Sequence, residues 1–359
     1  MKKYMFVVPS LSKGGAERVV SVLASGLAQQ PNTEVIIVRY FETKSDYYVD
    51  DKVKIITLSG GFEEDYNKMS KPQMLKKLHS VIKESDPDCI IPFLRHVNLQ
   101  TYIAASGKLR KKVIFTIRNS PYEKRGKIDI IHDYLINHTN RTIVQNQKQK
   151  DYFSAKAQNR ISILPNPVKS EFLDECVTLD DSRFVAVASG RLLEQKNFPM
   201  LIKAFSDFAL DKKDVFLHIY GEGNDKDMLQ KLIDELGCSE KIQLMERSND
   251  LVSVYKKVNL FILSSNFEGM PNALLEAMAI GLPCISTDCP TGPSEMIVNG
   301  ENGLLVPVND AEKMREAIEF MYNNRDRAEE MGKRARAYVA ENYRVDKIVN
   351  KFIEIVDRQ

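Results

Sequence analysis

The chain has 359 residues, of which 43% are hydrophobic and 28% charged; this composition excludes a disordered or fibrous protein, and the length predicts two globular domains. Its five cysteines form no Cys-x-x-Cys pair, which argues against a disulfide framework or a zinc site and is typical of a reducing, cytoplasmic compartment. The net charge is only +2, but residues 1–170 carry 28 basic and 16 acidic side chains, whereas residues 171–359 carry 23 and 33. The first half is therefore expected to meet an anionic partner, or else to present a solvated basic surface.

Short apolar, β-branched runs alternate with amphipathic segments along the first half of the chain. The predicted strands are residues 4–8, 35–38, 53–57, 89–93, 113–117 and 142–144. Apolar residues at three- and four-residue steps predict helices at 16–28 and 74–83. Continuous apolar strands separated by helices are typical of a parallel sheet covered on both faces, so we predict an α/β fold.

A second series of the same kind follows. Strands are predicted at 184–188, 215–220, 260–263, 284–286 and 303–306, with helices such as 228–236 and 274–280 between them. Two prolines, Pro165 and Pro167, force an extended connector between the two series. We therefore predict two doubly wound domains, 1–168 and 169–340, followed by a helical tail at 341–359.

Two strand-to-helix loops have the features of phosphate sites. The first strand leads into Gly14-Gly15 at the start of a helix, where backbone N–H groups can approach an anion. The strand at 184–188 is followed by Arg191 and Lys196, a planar fork and a point charge suited to a diphosphate. Taken separately, a packing turn and two solvated cations explain these residues equally well.

The third loop carries the strongest pattern. The strand at 260–263 is followed by a glycine loop and a helix that has Pro271 at or near its first turn. Glu268 precedes this helix and Glu276 lies inside it. Since the carboxyl ends of neighbouring parallel strands form one crevice, we expect the acids and the cations to lie together.

These segments resemble family 4 retaining glycosyltransferases of the GT-B fold. The resemblance rests on residues 14–18, 190–197, 221–223, 268–276, 281–286 and 302–307, which follow one another in the family's order and span nearly the whole chain. It implies two Rossmann-like domains that face a central cleft, with the C-terminal helix returning to the first domain. The first domain would then lie on the acceptor side and the second would bind the donor.

The resemblance also implies roles for individual residues. Arg191 and Lys196 would clamp the donor diphosphate, and Glu268 would accept hydrogen bonds from the sugar hydroxyls; these three are the implied catalytic residues. Glu276 would bind the ribose. The other implied donor contacts are Gly15 at the phosphates, Gly269, Met270, Pro271, Asn272 and Ala273 at the sugar and phosphates, and Gly221 and Arg247 at the base.

The implied reaction moves a hexose or N-acetylhexosamine, with retention, from a UDP-sugar to a glycan or a lipid-linked glycan in bacterial surface polysaccharide or glycoconjugate synthesis. Fixed cations and a helix N-terminus can stabilise the leaving nucleotide, so we expect no cofactor and no catalytic metal. No nucleic-acid partner is expected. A nucleotide-sugar 2-epimerase and a non-catalytic sugar-nucleotide-binding protein are the alternatives, and a donor-hydrolysis assay separates the three.

One segment departs from the family. Many members have a histidine after the strand at 113–117, near the donor sugar, but this chain has Arg118 and Asn119. Either residue could contact the sugar or the acceptor, and the added charge favours an anionic substrate.

The basic residues of the first half also suggest a location. Residues 71–83 place apolar side chains on one helical stripe beside several lysines, and residues 108–112 are basic as well. Such a helix can lie on an anionic membrane, although every helix that flanks a sheet has one apolar stripe. No run approaches the roughly 20 apolar residues of a membrane span, so we expect a cytoplasmic protein that binds the inner face of the membrane peripherally.

Overall fold

A computed structural model describes residues 1–12, 14–122, 126–138, 141–178, 182–248 and 250–357. The chain forms two compact units: unit 1 comprises Met1–Pro167 and Val345–Gln359, and unit 2 comprises Val168–Arg344. Each unit is built on parallel strands and helices, so the predicted α/β class is confirmed. Residues 341–344, which we expected in the C-terminal segment, belong to unit 2.

Within its described residues, unit 1 has seven strands, eight α-helices and a 3₁₀ helix at Gly107–Lys112. The strands are β1 Lys2–Val8, β2 Thr33–Arg39, β3 Lys54–Thr57, β4 Cys89–Pro92, β5 Phe115–Thr116, β6 Thr142–Val144 and β7 Ile161–Ile163. The helices are α1 Gly15–Ala28, α2 Glu63–Asn67, α3 Lys71–Ser85, α4 Arg95–Ala104, α5 Lys127–His138, α6 Gln147–Asp151, α7 Ala155–Gln158 and, at the C-terminus, α16 Val345–Asp357.

All strand pairs of unit 1 are parallel. The orders are β3-β2-β1-β4 and β5-β6-β7, and a bridge between Ile90 and Val113 links β4 to the second group. Successive residues of β1 point to opposite faces: Tyr4 and Phe6 pack in one core with α1 and α16, whereas Met5 packs in another with α3 and α4. The C-terminal helix α16 is therefore part of the core of unit 1.

The structure corrects our expectation for residues 71–83. Helix α3 begins with a capping box in which Ser70 and Gln73 bond each other's backbone N–H. Of its apolar stripe, Met74, Leu78 and Ile82 are buried in the core, and Leu75 is half-buried against it. That stripe cannot enter a membrane. The large apolar side chains that unit 1 exposes include Ile128, Ile130, Ile131 and Tyr134 of α5.

Within its described residues, unit 2 has six strands, eight α-helices and a 3₁₀ helix at Glu194–Lys196. The strands are β8 Phe184–Ser189, β9 Val215–Tyr220, β10 Ile242–Met245, β11 Leu260–Leu263, β12 Cys284–Thr287 and β13 Leu304–Val306. The helices are α8 Ser170–Asp174, α9 Phe198–Ala209, α10 Lys226–Glu235, α11 Leu251–Tyr255, α12 Asn272–Ile280, α13 Pro293–Met296, α14 Ala311–Asn323 and α15 Arg325–Asn342.

The sheet of unit 2 is parallel throughout, in the order β10-β9-β8-β11-β12-β13. The chain runs outward in one direction from β8 to β10 and in the other from β11 to β13, so the strand order reverses between β8 and β11. Ligands of open α/β sheets bind at the carboxyl ends of the strands at such a reversal. None of the described helices has the length and apolar composition required to cross a bilayer.

Candidate functional site

Two loops of unit 2 meet at the reversal of strand order. The first follows β8 and the second follows β11, and hydrogen bonds join them along their length. The backbone N–H of Asn266 donates to the Gln195 carbonyl at 2.8 Å, and Gln195 Nε2 donates to the Phe267 carbonyl at 3.0 Å. Ser264 Oγ donates to the Lys196 carbonyl at 2.7 Å. These bonds fix the side chains that the loops carry.

Lys196 and Glu268 form an ion pair in this position. Lys196 Nζ lies 2.6 Å from Glu268 Oε1, and the two side chains are only 14% and 9% exposed. Ser265 Oγ donates a second hydrogen bond to the same oxygen at 2.7 Å. Within the part of the chain that the structure describes, Glu268 Oε2 accepts no hydrogen bond. The carboxylate is therefore held by one oxygen, and the other is available to a ligand.

Glycines allow these loops to come close together. A Cβ atom on Gly221, which follows β9, would lie 1.9 Å from the carbonyl oxygen of Gly190. A Cβ on Gly190 would lie 2.7 Å from Cε of Lys196. The close approach of the two backbones therefore explains why residue 221 is a glycine. Its contact with the nucleobase of the donor remains a prediction.

Two arginines lie at the same edge of the sheet as the ion pair. Arg191 follows β8 and is exposed, and in the described structure its guanidinium bonds only Gln195, at 3.4 Å. Arg247 follows β10 and is half-buried. Arg191 can therefore turn toward an anion without breaking a strong contact.

Helix α12 points its N-terminus toward the carboxyl edge of the sheet. It begins at Asn272, and its N-cap residue Pro271 makes no side-chain capping bond. Thr291 Oγ1 donates to the Gly269 carbonyl at 3.0 Å and so fixes the preceding loop. The positive end of the helix dipole favours an anion here. Met270 and Pro271 are buried and Asn272 and Ala273 half-buried.

Glu276 lies in the second turn of α12 and is only 3% exposed. Acidic side chains are rarely buried to this degree. Both Glu268 and Glu276 are buried. The motif is therefore not a chance spacing of two surface acids.

Sequence reasoning missed three neighbours of Glu268: Ser265, Thr291 and Cys289. Ser265 lies three residues before Glu268, in the same loop, and could have been proposed as a hydrogen-bond donor to its carboxylate. Thr291 and Cys289 follow β12, more than 20 residues away, and no sequence signal ties them to the acid. Burial, and next the charge of Glu268, raise the pKa of the Cys289 thiol to about 12.

We searched the site and the rest of the described chain for side chains that could bind a metal ion together. The described residues contain no group of three or more His, Cys, Asp or Glu side chains arranged to hold a metal ion. Two Asp-x-Asp triplets, a pattern that can bind a divalent cation, occur in the sequence at 86–88 and 225–227. The first precedes β4, at the opposite edge of the sheet from the carboxyl ends, and the second opens α10.

The predicted residues of unit 1 also follow strands. Gly15 is the first residue of α1, after β1, and is exposed. Arg118 and Asn119 follow β5; Arg118 is buried and Asn119 exposed. Arg118 Nη1 donates to Asn166 Oδ1 at 3.1 Å.

The sequence matches two family models that together cover most of the chain. The model described as Glycosyltransferase Family 4 matches residues 13–172, and the one described as Glycosyl transferases group 1 matches residues 170–338. An uncharacterised glycosyltransferase of Methanocaldococcus jannaschii is 30% identical over 275 residues, which cover 69% of this chain and 67% of the relative.

A second relative matches from end to end. It is an α-1,4-N-acetyl-D-galactosaminyltransferase of Campylobacter jejuni, named for the acceptor GalNAc-α-(1→4)-GalNAc-α-(1→3)-diNAcBac-PP-undecaprenol. It is 26% identical over 363 residues, covering 99% of this chain and 98% of the relative. The crystal structure of a variant of S. aureus TarM, in complex with fondaparinux, α-GlcNAc-glycerol and UDP, has a TM-score of 0.82 at 16% identity and covers 99% of this chain and 100% of that one. The chain therefore belongs to glycosyltransferase family 4 and is a glycosyltransferase with the GT-B fold.

Proposed function

We propose that this glycosyltransferase transfers a hexose or N-acetylhexosamine from a UDP-sugar, with retention of anomeric configuration and without a metal. The observation that carries the proposal is the ion pair between Lys196 and Glu268 at the reversal of strand order in unit 2, beside Arg191 and the N-terminus of α12.

The charges match what the reaction requires. When the bond between the sugar and the phosphate breaks, negative charge grows on the nucleoside diphosphate. Lys196, exposed Arg191 and the dipole of α12 would stabilise that charge. Glu268 Oε2 would accept hydrogen bonds from the sugar hydroxyls, while Lys196 and Ser265 hold Oε1 in place. Glu268 would thus orient the sugar, and buried Glu276 would bind the ribose hydroxyls.

The relatives support the substrate classes. UDP is bound in the TarM structure, and the Campylobacter relative is named for a lipid-linked glycan acceptor. We infer a UDP-linked donor and a glycan or lipid-linked glycan acceptor, in glycoconjugate or surface polysaccharide synthesis.

Donor consumption with and without acceptor tests the proposal. Incubation with a panel of UDP-hexoses and UDP-N-acetylhexosamines should release UDP slowly, and faster once an acceptor is supplied. NMR should show an α-linked product from an α-linked donor. Formation of a new sugar nucleotide would instead identify a 2-epimerase, and no consumption of any donor would leave a binding protein. Millimolar EDTA should change the rate less than twofold, whereas strict dependence on Mg²⁺ or Mn²⁺ would refute the metal-free site.

A cytoplasmic, membrane-peripheral location is also part of the proposal. With the stripe of α3 buried, the contact would involve exposed basic residues, Lys76 and Lys77 of α3 and Lys108, Arg110 and Lys111 after α4, each contributing about 1 kcal/mol near an anionic surface. Cosedimentation with anionic vesicles should then occur at low salt and be lost at high salt. No pelleting at low salt would refute it.

A further inference from the structure

Arg118 is buried in unit 1 without a counter-charge. It is 8% exposed, and no carboxylate lies within 4 Å of its guanidinium among the described residues. Nη1 donates to Asn166 Oδ1 at 3.1 Å, and the guanidinium carbon lies 4.4 Å from the centre of the Phe93 ring. Nε and Nη2 are buried and have no hydrogen-bond partner in the described structure. Burial lowers the pKa of Arg118 to about 9, so the side chain remains a cation at neutral pH.

Two other arginines of the same unit, Arg39 and Arg95, are paired with acids. Arg39, which is 9% exposed, contacts Asp46 and has Glu42 at 2.9 Å. Arg95 lies 3.0 Å from Asp129. Arg39 and Arg95 thus each have an acidic partner, whereas Arg118 has none among the described residues, and half-buried Arg160 donates to the carbonyls of Ile136 and Asn137 instead.

Neutral groups hold Arg118 firmly in this position. Asn166 Oδ1 accepts a second hydrogen bond, from Gln145 Nε2 at 2.9 Å, and Gln145 is in turn bonded to Gln149. Asn166, Gln145 and Gln149 are all at most 3% exposed. A buried cation costs folding free energy unless an opposite charge or enough hydrogen bonds offset it, and one neutral acceptor and a ring face offset only part. A buried ionisable group of this kind is a candidate for binding a ligand, and for a cation that ligand is an anion.

The arrangement of the two free donors indicates what that ligand is. Nε and Nη2 lie on one edge of the planar guanidinium and point the same way, so they match two oxygens of a carboxylate or a phosphate. Arg118 also follows β5, and Phe93 follows β4, at the carboxyl edge of the sheet where ligands of α/β folds bind.

We propose that Arg118 binds an anionic group of the substrate through Nε and Nη2. The inference rests on the proposed function, because that function makes the substrate either the transferred sugar or the acceptor. The oxyanion is then either a carboxylate on the sugar, as in a uronic acid, or a phosphate on the acceptor.

Calorimetry on the full chain distinguishes the two sources. In the first arm, UDP-glucuronate and UDP-glucose are titrated into the wild type and into Arg118→Met, a variant of similar length without charge. In the second, inorganic phosphate is titrated after UDP has filled the donor site. We expect Arg118→Met to weaken binding at least tenfold in one arm, while binding of UDP alone is unchanged. Arg110→Met, the loss of an exposed arginine in the same unit, should change neither arm.

The melting temperature of Arg118→Met without ligand distinguishes a ligand-binding role of Arg118 from a structural one. Because Arg118 lacks a counter-charge, Arg118→Met without ligand should melt at the wild-type temperature or a few degrees higher. A lower melting temperature that Arg118→Lys restores would make Arg118 a structural residue and overturn the proposal. Unchanged binding in both arms would overturn it too. If UDP fails to bind the wild type, the proposed function fails, and phosphate titration without UDP still tests Arg118.

Discussion

Both units place a cation beside the carboxyl ends of a parallel sheet, but they compensate its charge differently. In unit 2, Lys196 has the carboxylate of Glu268 at 2.6 Å. In unit 1, Arg118 meets a neutral amide and an aromatic ring. The charge of Lys196 is thus compensated without a ligand, whereas that of Arg118 is not. Loss of the Lys196 charge should therefore lower both turnover and stability, whereas loss of the Arg118 charge should weaken ligand binding without lowering stability.

The largest effect is expected at Lys196. Lys196→Ala should lower turnover about 10²-fold or more, because it removes a fixed charge from the developing diphosphate. It should also lower the free energy of unfolding by about 3 kcal/mol, because it leaves the buried carboxylate of Glu268 unpaired. UDP release and urea denaturation measure the two quantities.

Two control variants separate the expected loss of turnover from the expected loss of stability. Arg191→Ala should lower turnover to a similar extent with a stability change within about 0.5 kcal/mol, because Arg191 is exposed. Lys203→Ala, on the exposed face of α9, should change neither quantity. Turnover of Lys196→Ala within a few-fold of wild type would contradict the assignment.

The two acids of unit 2 should separate donor binding from transfer. Glu276→Ala should weaken UDP binding on the order of tenfold, by loss of charge-assisted hydrogen bonds. Glu268→Ala should retain UDP binding while transfer collapses, because its proposed partner is the sugar. Calorimetry with UDP and a transfer assay measure the pair, and equal loss of UDP affinity in both variants would refute the division.

A comparison within unit 1 sharpens the interpretation of Arg118. Arg39→Met should lower the free energy of unfolding by about 3 kcal/mol, because Asp46 and Glu42 lose their shared partner. Arg118→Met should not lower it. Urea denaturation of both variants, side by side, measures the difference, and equal destabilisation would show that Arg118 is paired like Arg39.

The smallest effect concerns thiol reactivity and tests the packing of both units. Of the five cysteines, only Cys176 is exposed. Burial raises the pKa of Cys89 and of Cys289 to about 12, so both remain unreactive thiols at pH 8. A maleimide should therefore label one cysteine rapidly, as mass spectrometry would show, and rapid labelling of Cys289 would mean that the loop beside Glu268 opens.

The sequence predicted the buried strands well and the marginal ones poorly. A strand such as β1 is a continuous apolar run because both of its faces are covered. Strands β7 and β10 were missed, since their residues are mixed and only partly buried at the ends of the sheets. The stripe of α3 shows the related limit: helical periodicity reveals an apolar face but not whether protein or lipid covers it.

The site shows where sequence patterns stop being informative. Lys196 and Glu268 were both predicted to contact the donor, but their mutual ion pair joins residues 72 positions apart and needed the structure. Arg118 was singled out because it replaces a histidine. Its lack of a counter-charge depends on which side chains surround it, which no local pattern encodes.

The bridge between Val168 and Arg344 has a consequence for recombination between genes. Unit 2 begins and ends at these two paired residues, and the Val168 amide donates to the Tyr343 carbonyl at 2.8 Å. Residues 168–344 are thus one uninterrupted coding segment whose ends meet in space. A chimera that exchanges this segment between relatives would move Lys196 and Glu268 together, and would leave Arg118 with its partners Asn166 and Phe93 in unit 1.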